Sequence, residues 1–274
     1  MKVTSVIKKI ETLAPVSTKK ASKQIETLNK TIADKSWQAI PDELKVSFAK
    51  IQSKKEKRFA KKAYKELVKY FNLEGFAPKR IKFFLGVKGN LGSHDKISNK
   101  VAISRECVYR YPNSSKVEAI SHELTHCKQA CELIRSPRVG IKKYSKAVYE
   151  GIANEEVKDF FNFGLQANYL RAKRKGQGEQ FIKDYAERLF KENEKKLRKS
   201  YKKAISSPKL NDKTKRSTLD KYLHAFKTYT NPDPFGINFK RYENNYLEVE
   251  ARKVGSQLET YFETFEKFFI KSTD

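Results

Sequence analysis

The amino-acid sequence predicts a mainly α-helical protein with a small β-sheet, which is an α+β fold class. Only 11 Gly and 8 Pro interrupt its 274 residues, and this favours long helices over an architecture with many turns. Apolar residues recur at helical spacing in several long segments, whereas strand-forming residues are concentrated in two short stretches, 80–87 and 100–104. Hydrophobic residues make up 38% of the chain, so it can bury a core and is not disordered as a whole.

The N-terminal region, residues 1–76, is basic and has a helical pattern. Pro41 is expected to begin a helix, because Asp42 and Glu43 then lie in the first turn, where the helix dipole favours acids. In "FAKKAYKELVKYF" (59–71), apolar residues recur every fourth position, which predicts an amphipathic helix. A glycine and a proline shortly after this segment are expected to end the helix.

Two short strands are expected next. "RIKFFLGV" (80–87) and "KVAIS" (100–104) are rich in residues that favour strands. The stretch between them, "KGNLGSHDKISN" (88–99), is polar and contains glycine, so it is predicted to be a loop.

Residues 114–134 are predicted to form a helix that carries the motif HELTH. Ser115 as the N-cap and Glu118 three residues later match a capping box. His122 and His126 lie off the apolar face of this helix. That face consists of apolar residues at three- and four-residue steps: Val117, Ile120, Leu124, Cys127, Cys131 and Ile134.

The rest of the chain is predicted to be helical, with a helix over 142–171 and a long final helix over 244–270. Residues 173–221 contain 17 Lys and Arg against 7 Asp and Glu, which is typical of a basic helical hairpin. We therefore divide the chain into a basic helical N-terminal region (1–76), a core with the HELTH helix (77–172), a basic helical insertion (173–236) and a C-terminal helix that completes the core (237–274).

The net charge of the chain is +27, from 59 Lys and Arg against 32 Asp and Glu. Such an excess favours an anionic partner, and we expect nucleic acid bound through the basic regions, although a lysine-rich solvated surface has the same composition. The chain has three cysteines, which imply no disulfide framework and fit a reducing compartment. No signal peptide and no membrane span is apparent, so we expect a protein that stays inside the cell or is packaged from there, without a membrane partner.

The motif HELTH has the spacing of a zinc site. On a helix, positions i and i+4 lie on one face, so His122 and His126 can present their imidazoles to one metal ion. Glu123 follows the first histidine and can act as general base and then general acid, taking a proton from water that the metal activates. Zinc suits this chemistry because it accepts imidazole and carboxylate ligands and is not redox-active. A pair of surface histidines without metal is the competing interpretation.

HELTH on a helix that follows a strand resembles the zincin metallopeptidases, in which an edge strand binds the substrate backbone as an added strand. "KVAISRECV" (100–108) is then the candidate edge. The longer motif, which ends at Gln129, resembles the gluzincins, whose third zinc ligand is a glutamate on a later helix. The resemblance implies a zincin-like core with an HExxH active-site helix and a glutamate helix, and a peptide or protein substrate.

Two segments can supply the third ligand. Glu150 begins an E-x-x-A sequence at a short distance after HELTH. The second segment, 242–251, resembles the Y-x-x-x-P-x-E-x-E-A pattern of metallopeptidase-like domains in phage-encoded proteins, although Tyr246 replaces the proline. We favour Glu248 from this segment, because the small residues Ala251 and Gly255 lie on its helix face and let the two helices approach closely. Glu150 remains the alternative.

The leading hypothesis is therefore a zinc-dependent metallopeptidase. The alternative is a basic protein, bound to nucleic acid or packaged inside a virion, that uses a zincin fold as a scaffold with little hydrolytic activity. Cys127 and Cys131 lie on the apolar face and are expected to be buried thiols rather than metal ligands. The remaining candidates for a hydrogen-bond donor to the transition state are His94, His224 and Tyr242, of which the two histidines are expected to be ordinary surface residues.

Overall fold

The structure is a computed structural model that describes residues 18–52, 54–85, 91–158, 163–206, 216–229 and 239–271. In these ranges the chain is mainly helical with one three-stranded sheet, as predicted. The strands are β1 (Lys82–Phe84), β2 (Gly92–Asp95) and β3 (Lys100–Ser104). The helices are α1 (Thr18–Thr31), α2 (Lys35–Gln38), α3 (Asp42–Ile51), α4 (Glu56–Tyr70), α5 (Arg105–Arg110), α6 (Asn113–Arg135), α7 (Gly140–Lys158), α8 (Phe163–Arg174), α9 (Gly178–Ser200), α10 (Lys202–Ser206), α11 (Arg216–Lys227), α12 (Phe239–Glu243) and α13 (Tyr246–Lys271).

The chain divides into two compact units. The first contains the described parts of Met1–His94, Lys100–Leu124 and Lys253–Asp274, and the second contains those of Asp95–Asn99 and Thr125–Arg252. The boundary between Leu124 and Thr125 lies inside helix α6, and the boundary between Arg252 and Lys253 lies inside helix α13. The four segments expected from the sequence remain a prediction.

The core of the first unit is a cluster of aromatic rings around the C-terminal half of α13. The ring centroids of Phe48 and Phe262 are 4.9 Å apart, and those of Phe59 and Phe262 are 5.6 Å apart, with the rings of each pair close to perpendicular. Trp37 stacks on Phe265 at 5.9 Å. Aromatic pairs at these separations and angles stabilise beyond the area that they bury, so α2, α3 and α4 are held against α13.

The amphipathic helices of this unit form where the sequence predicts them. Helix α3 directly follows Pro41 and carries Asp42 and Glu43 in its first turn. Helix α4 buries Phe59 and Leu67 on the face that the periodicity indicates. Both predictions are confirmed, because apolar spacing and first-turn acids are local signals that the surrounding structure reinforces.

The sheet differs from the prediction in one strand. Its order is β1-β3-β2, with β1 and β3 parallel. Strand β2 lies within 88–99, which the sequence predicts to be a loop, and the backbone N–H of Ser104 donates to the carbonyl of Leu91 at 2.9 Å. The polar sequence of β2 therefore forms a strand because it pairs with β3. Strand β3 is central, so the expectation that "KVAISRECV" provides the edge is wrong, and β1 and β2 are the edges within the described residues.

The second unit is helical. Gly151 of α7 lies directly against the backbone carbonyl of Phe226 in α11, where a side chain has no room. The hydroxyls of Tyr144 and Tyr201 are 3.1 Å apart, and both donate to the carbonyl of Lys96. The basic stretch predicted to be a hairpin forms α9, α10 and part of α11, and α9 buries an apolar face.

Two further expectations concern helix boundaries. The helix predicted over 142–171 corresponds to α7 and most of α8, and residues 159–162 between them lie outside the described residues. Helix α6 begins at Asn113, so Ser115 lies inside it and the expected capping box is wrong. The Ser115 hydroxyl instead donates to Glu259 of α13 at 3.0 Å. None of the helices in the described part of the chain has the length and apolar character that a membrane crossing requires.

Candidate metal centre

Helix α6 carries the HELTH motif and is buried on most of its circumference. All six apolar residues of the predicted face are at most 5% exposed, which confirms that face. Glu123, His126 and Gln129, on other sides of the helix, are also buried, and His122 is half-buried. A buried polar side chain is costly without hydrogen-bond or ion partners, so these positions are where specific contacts are expected.

Helix α13 brings Glu248 to the second histidine. Glu248 is 1% exposed and lies in the first turn of α13. Its Oε1 is 3.2 Å from Nε2 of His126 and accepts a hydrogen bond of 2.6 Å from the hydroxyl of Tyr229. The carboxylate is therefore held between a ring nitrogen and a phenol in the interior of the protein.

Gly255 of α13 allows this helix to approach α6 closely at Glu118 and His122. A Cβ on Gly255 would lie 3.2 Å from the carbonyl oxygen of Glu118 and 3.6 Å from Cβ of His122. The prediction that a small residue at this position allows a close approach is thus confirmed. Two helices at such a distance can share one site between their side chains.

The residues His122, His126 and Glu248 form one cluster. A ligand atom from each of them lies within 4.8 Å of the other two. Among the described residues, this is the group of at least three His, Cys, Asp or Glu side chains that could hold a metal ion. Glu150, the alternative third ligand, is not in this group, and its Oε2 pairs with Nζ of Lys227 at 3.1 Å.

The donor set fits zinc, and so does the spacing of the one ligand pair formed by His126 and Glu248. Two imidazoles and a carboxylate are ligands that zinc accepts in catalytic sites, where water takes the fourth position. Two donor atoms bound at about 2.0–2.1 Å with tetrahedral geometry lie about 3.3 Å apart. The separation of 3.2 Å between His126 Nε2 and Glu248 Oε1 is close to that value.

Glu123 lies against strand β2. A Cβ on Gly92 would be 2.6 Å from Oε1 of Glu123 and 2.8 Å from its Cγ, so only glycine leaves room for this carboxylate. His94 is two residues further along β2, and side chains two apart point to the same face of a strand. His94 therefore shares the face of β2 against which Glu123 packs, and it is half-buried there rather than on the open surface as expected.

The other candidates from the sequence have different surroundings. His224 is exposed on α11, as expected. Tyr242 is half-buried and packs edge-to-face on Tyr229, with ring centroids 6.3 Å apart. Cys127 and Cys131 are buried free thiols, and a hydrogen bond between them together with burial raises the pKa of Cys127 well above its ordinary value. A protonated thiol does not bind metal, which agrees with their expected role.

Sequence reasoning missed Tyr229 and Gly92. Tyr229 lies just after α11, and no local motif marks it as a partner of Glu248. Gly92 carries only the signal of a glycine in a polar stretch, which is typical of a loop. Both roles depend on contacts between residues that are distant in the sequence.

Comparison of the chain with protein-family models, with curated proteins and with solved structures finds no match.

Proposed function

We propose that this protein is a zinc-dependent metallopeptidase of the gluzincin type. The observation that carries the proposal is the cluster of His122, His126 and Glu248, with ligand atoms within 4.8 Å of one another, on a helix that also carries the buried Glu123. A structural zinc site is closed by protein ligands and needs no general base. Hydrolysis, by contrast, needs a proton acceptor beside the open coordination position of the metal. The combination therefore favours an enzyme over a scaffold.

The three ligands would hold a zinc ion, which supplies a Lewis acid that acidifies water and polarises a carbonyl. Glu123 accepts a proton at its carboxylate and delivers it to the leaving amine. Burial of Glu123 and the close contact with Gly92 limit the positions that this carboxylate can adopt, which preserves its orientation.

Strand β2 is a better candidate than the central strand β3 for binding the substrate backbone. It is an edge strand among the described residues, and Gly92 at its start touches Glu123. An extended peptide that adds to β2 would have its backbone beside the general base. Among the expected candidates for a hydrogen bond to the transition state, His94 is then the one that shares with Gly92 the strand face against which Glu123 packs.

The proposal is tested with Glu123→Gln. This change removes the proton acceptor but keeps the size of the side chain, so zinc should be retained while hydrolysis falls by about 10²-fold or more. Hydrolysis is measured on fluorescein-labelled casein and, by mass spectrometry, on a mixture of random peptides. Equal turnover by the wild type and by Glu123→Gln would exclude the proposed role of Glu123. Wild-type protein that binds zinc but cleaves neither substrate favours the scaffold.

A second candidate function, binding of nucleic acid, rests on one surface. From Lys195 to Lys203, at the end of α9 and on α10, six cationic side chains are exposed: Lys195, Lys196, Arg198, Lys199, Lys202 and Lys203. Arg198 is paired with Glu194 at 2.6 Å. Closely spaced lysines neutralise phosphates without reading bases, so we propose binding that depends on salt and not on sequence.

This candidate is tested by replacing Lys195, Lys196, Lys199 and Lys202 with Gln. The matched control replaces the four exposed lysines of α4 (Lys57, Lys61, Lys65 and Lys69) in the same way, which removes equal charge elsewhere. Affinity for a random DNA duplex is measured by fluorescence anisotropy at several salt concentrations. The first variant should bind more weakly. Its plot of log affinity against log salt concentration should also be less steep, by about 0.9 in slope for each phosphate that is no longer neutralised. An equal decrease in both variants would show that net charge alone drives the binding.

A further inference from the structure

Both ring nitrogens of His126 face oxygen atoms. Nδ1 is 3.0 Å from Oε1 of Gln129, and Nε2 is 3.2 Å from Oε1 of Glu248. A neutral imidazole carries one N–H donor and one lone pair, so only one of these two oxygens can accept its proton. Which nitrogen carries the proton decides whether Nε2 can bind a metal.

The neighbours of Gln129 fix the orientation of its amide. The amide nitrogen, Nε2, donates to Oε2 of Glu250 at 2.7 Å and lies 3.3 Å from the carbonyl of Leu247. Both neighbours only accept hydrogen bonds, so the NH₂ group must point to them and the amide oxygen must point to His126. An amide oxygen cannot donate, and His126 must therefore donate from Nδ1.

Glu250 is itself held in place by Tyr222, whose hydroxyl donates to Oε1 of Glu250 at 3.0 Å. Burial and the nearby carboxylate raise the pKa of Tyr222, so the phenol stays protonated and remains a donor. The hydrogen bonds run from Tyr222 through Glu250 and Gln129 to His126, and each donor meets an acceptor. Gln129 is 1% exposed and its contact with His126 is buried, so water does not compete for that hydrogen bond.

We propose that Gln129 and Glu250 are positioning residues that hold His126 in the Nδ1–H tautomer and direct its Nε2 lone pair at the metal. This inference rests on the proposed function, because it concerns the same zinc site. It also gives both glutamates of the E-x-E segment a role: Glu248 binds the metal, and Glu250 supports the opposite ligand through the amide.

The amide differs from the carboxylate that often accepts a hydrogen bond from a metal-bound histidine. A neutral amide fixes the tautomer without placing a second carboxylate, in addition to Glu248, next to the imidazole ring. The charge of Glu250 lies one hydrogen bond further away, where it polarises the amide and strengthens the bond to His126. Removing this support should therefore weaken metal binding, while the three ligands remain.

The first variant is Gln129→Met, which keeps the length of the side chain but removes its hydrogen bonds to His126, Glu250 and Leu247. Its zinc dissociation constant, measured by competition with a chromophoric chelator, should rise about 10–100-fold. The matched control is Gln257→Met on α13, an exposed glutamine whose amide donates to Tyr261. That control should leave zinc affinity unchanged. A zinc affinity of Gln129→Met equal to that of the wild type would overturn the proposal.

A charge-swap pair separates hydrogen bonding from simple packing. Gln129→Glu places two carboxylates at the distance of the present 2.7 Å contact and should weaken zinc binding. Adding Glu250→Gln restores a donor between the two side chains, and the new carboxylate at position 129 still accepts from Nδ1, so affinity should recover. Failure of the double variant to recover any affinity relative to Gln129→Glu would contradict the proposed network. This pair also tests the proposal if Gln129→Met does not fold.

The tautomer of His126 provides a readout that does not need zinc. Long-range ¹H–¹⁵N spectra of the wild type should show a hydrogen-bonded Nδ1–H for His126, and Gln129→Met should lose that signal. A wild type that binds no zinc but shows the signal contradicts the proposed function and retains the network. A wild type that binds zinc, but whose metal-free form carries the proton of neutral His126 on Nε2 instead, contradicts the network alone.

Discussion

Replacing Gly92 by alanine tests the contact between β2 and Glu123. The new Cβ would lie 2.6 Å from Oε1 and 2.8 Å from Cγ of Glu123, whereas ordinary contacts begin at 3.4 Å. The strand or the carboxylate must therefore move by 0.8 Å (3.4 − 2.6). A displacement of about 1 Å in a catalytic group costs about 10²-fold in rate, so hydrolysis should fall by that order while zinc is retained.

The same contact predicts a change in stability that does not depend on any activity. Inserting a methyl group into a packed site costs about 1–3 kcal/mol in the free energy of unfolding. In a Glu123→Ala background the atoms that clash with the new Cβ are absent. Gly92→Ala should then cost less than about 0.5 kcal/mol, as substitutions away from tightly packed sites usually do.

Urea unfolding of the wild type, both single variants and the double variant measures this coupling. The effect of glycine replacement on the unfolded chain is the same in both backgrounds and cancels in the cycle. Gly178→Ala is the control, because its Cβ would meet its nearest atoms at 3.3 Å, which is just inside the ordinary contact distance and 0.7 Å (3.3 − 2.6) longer than at Gly92. If Gly92→Ala destabilises both backgrounds equally, Glu123 does not lie against β2 and the placement of the general base is wrong.

Two further predictions concern α13. Gly255→Ala should push α13 away from Glu118, which its Cβ would approach to 3.2 Å, and should lower zinc affinity about 10-fold in chelator competition; an unchanged affinity would show that this spacing is not needed. Burial, helped by Glu263 and opposed by Lys116, raises the pKa of Glu266 to about 7 from 4.5, so the folded state loses stability as pH rises between these values. Glu266→Gln should therefore raise the free energy of unfolding by about 1–2 kcal/mol at about pH 8, after allowance for partial exposure, and by little at about pH 4; an effect equal at both pH values would refute the shift.

The local parts of the structure could be predicted from the sequence. The apolar face of α6 and the stacking of His122 and His126 depend only on spacing along one helix. The start of α3 could also be predicted, because proline and first-turn acids act within a few residues.

The parts that depend on distant contacts could not be predicted in the same way. Strand β2 has a sequence typical of a loop and exists because β3 offers it hydrogen bonds. Ser115 matches a capping box but bonds to Glu259, which lies on another helix. Tyr229 bonds to Glu248, and no pattern near Tyr229 marks it. Gln129 belongs to the extended motif, but its bond to Glu250 depends on a helix far away in the sequence. The preference for Glu248 itself depends on a resemblance to a known pattern and on the small residues beside it.

The most direct test of the central claim is the metal content of the purified protein. Inductively coupled plasma mass spectrometry of wild-type protein, prepared without chelator, should give about one zinc per chain. Glu248→Ala should lose most of that zinc, whereas Glu150→Ala should keep it, because Glu150 is paired with Lys227. Folded wild-type protein without metal, or loss of zinc from Glu150→Ala with retention in Glu248→Ala, would contradict the proposed zinc site.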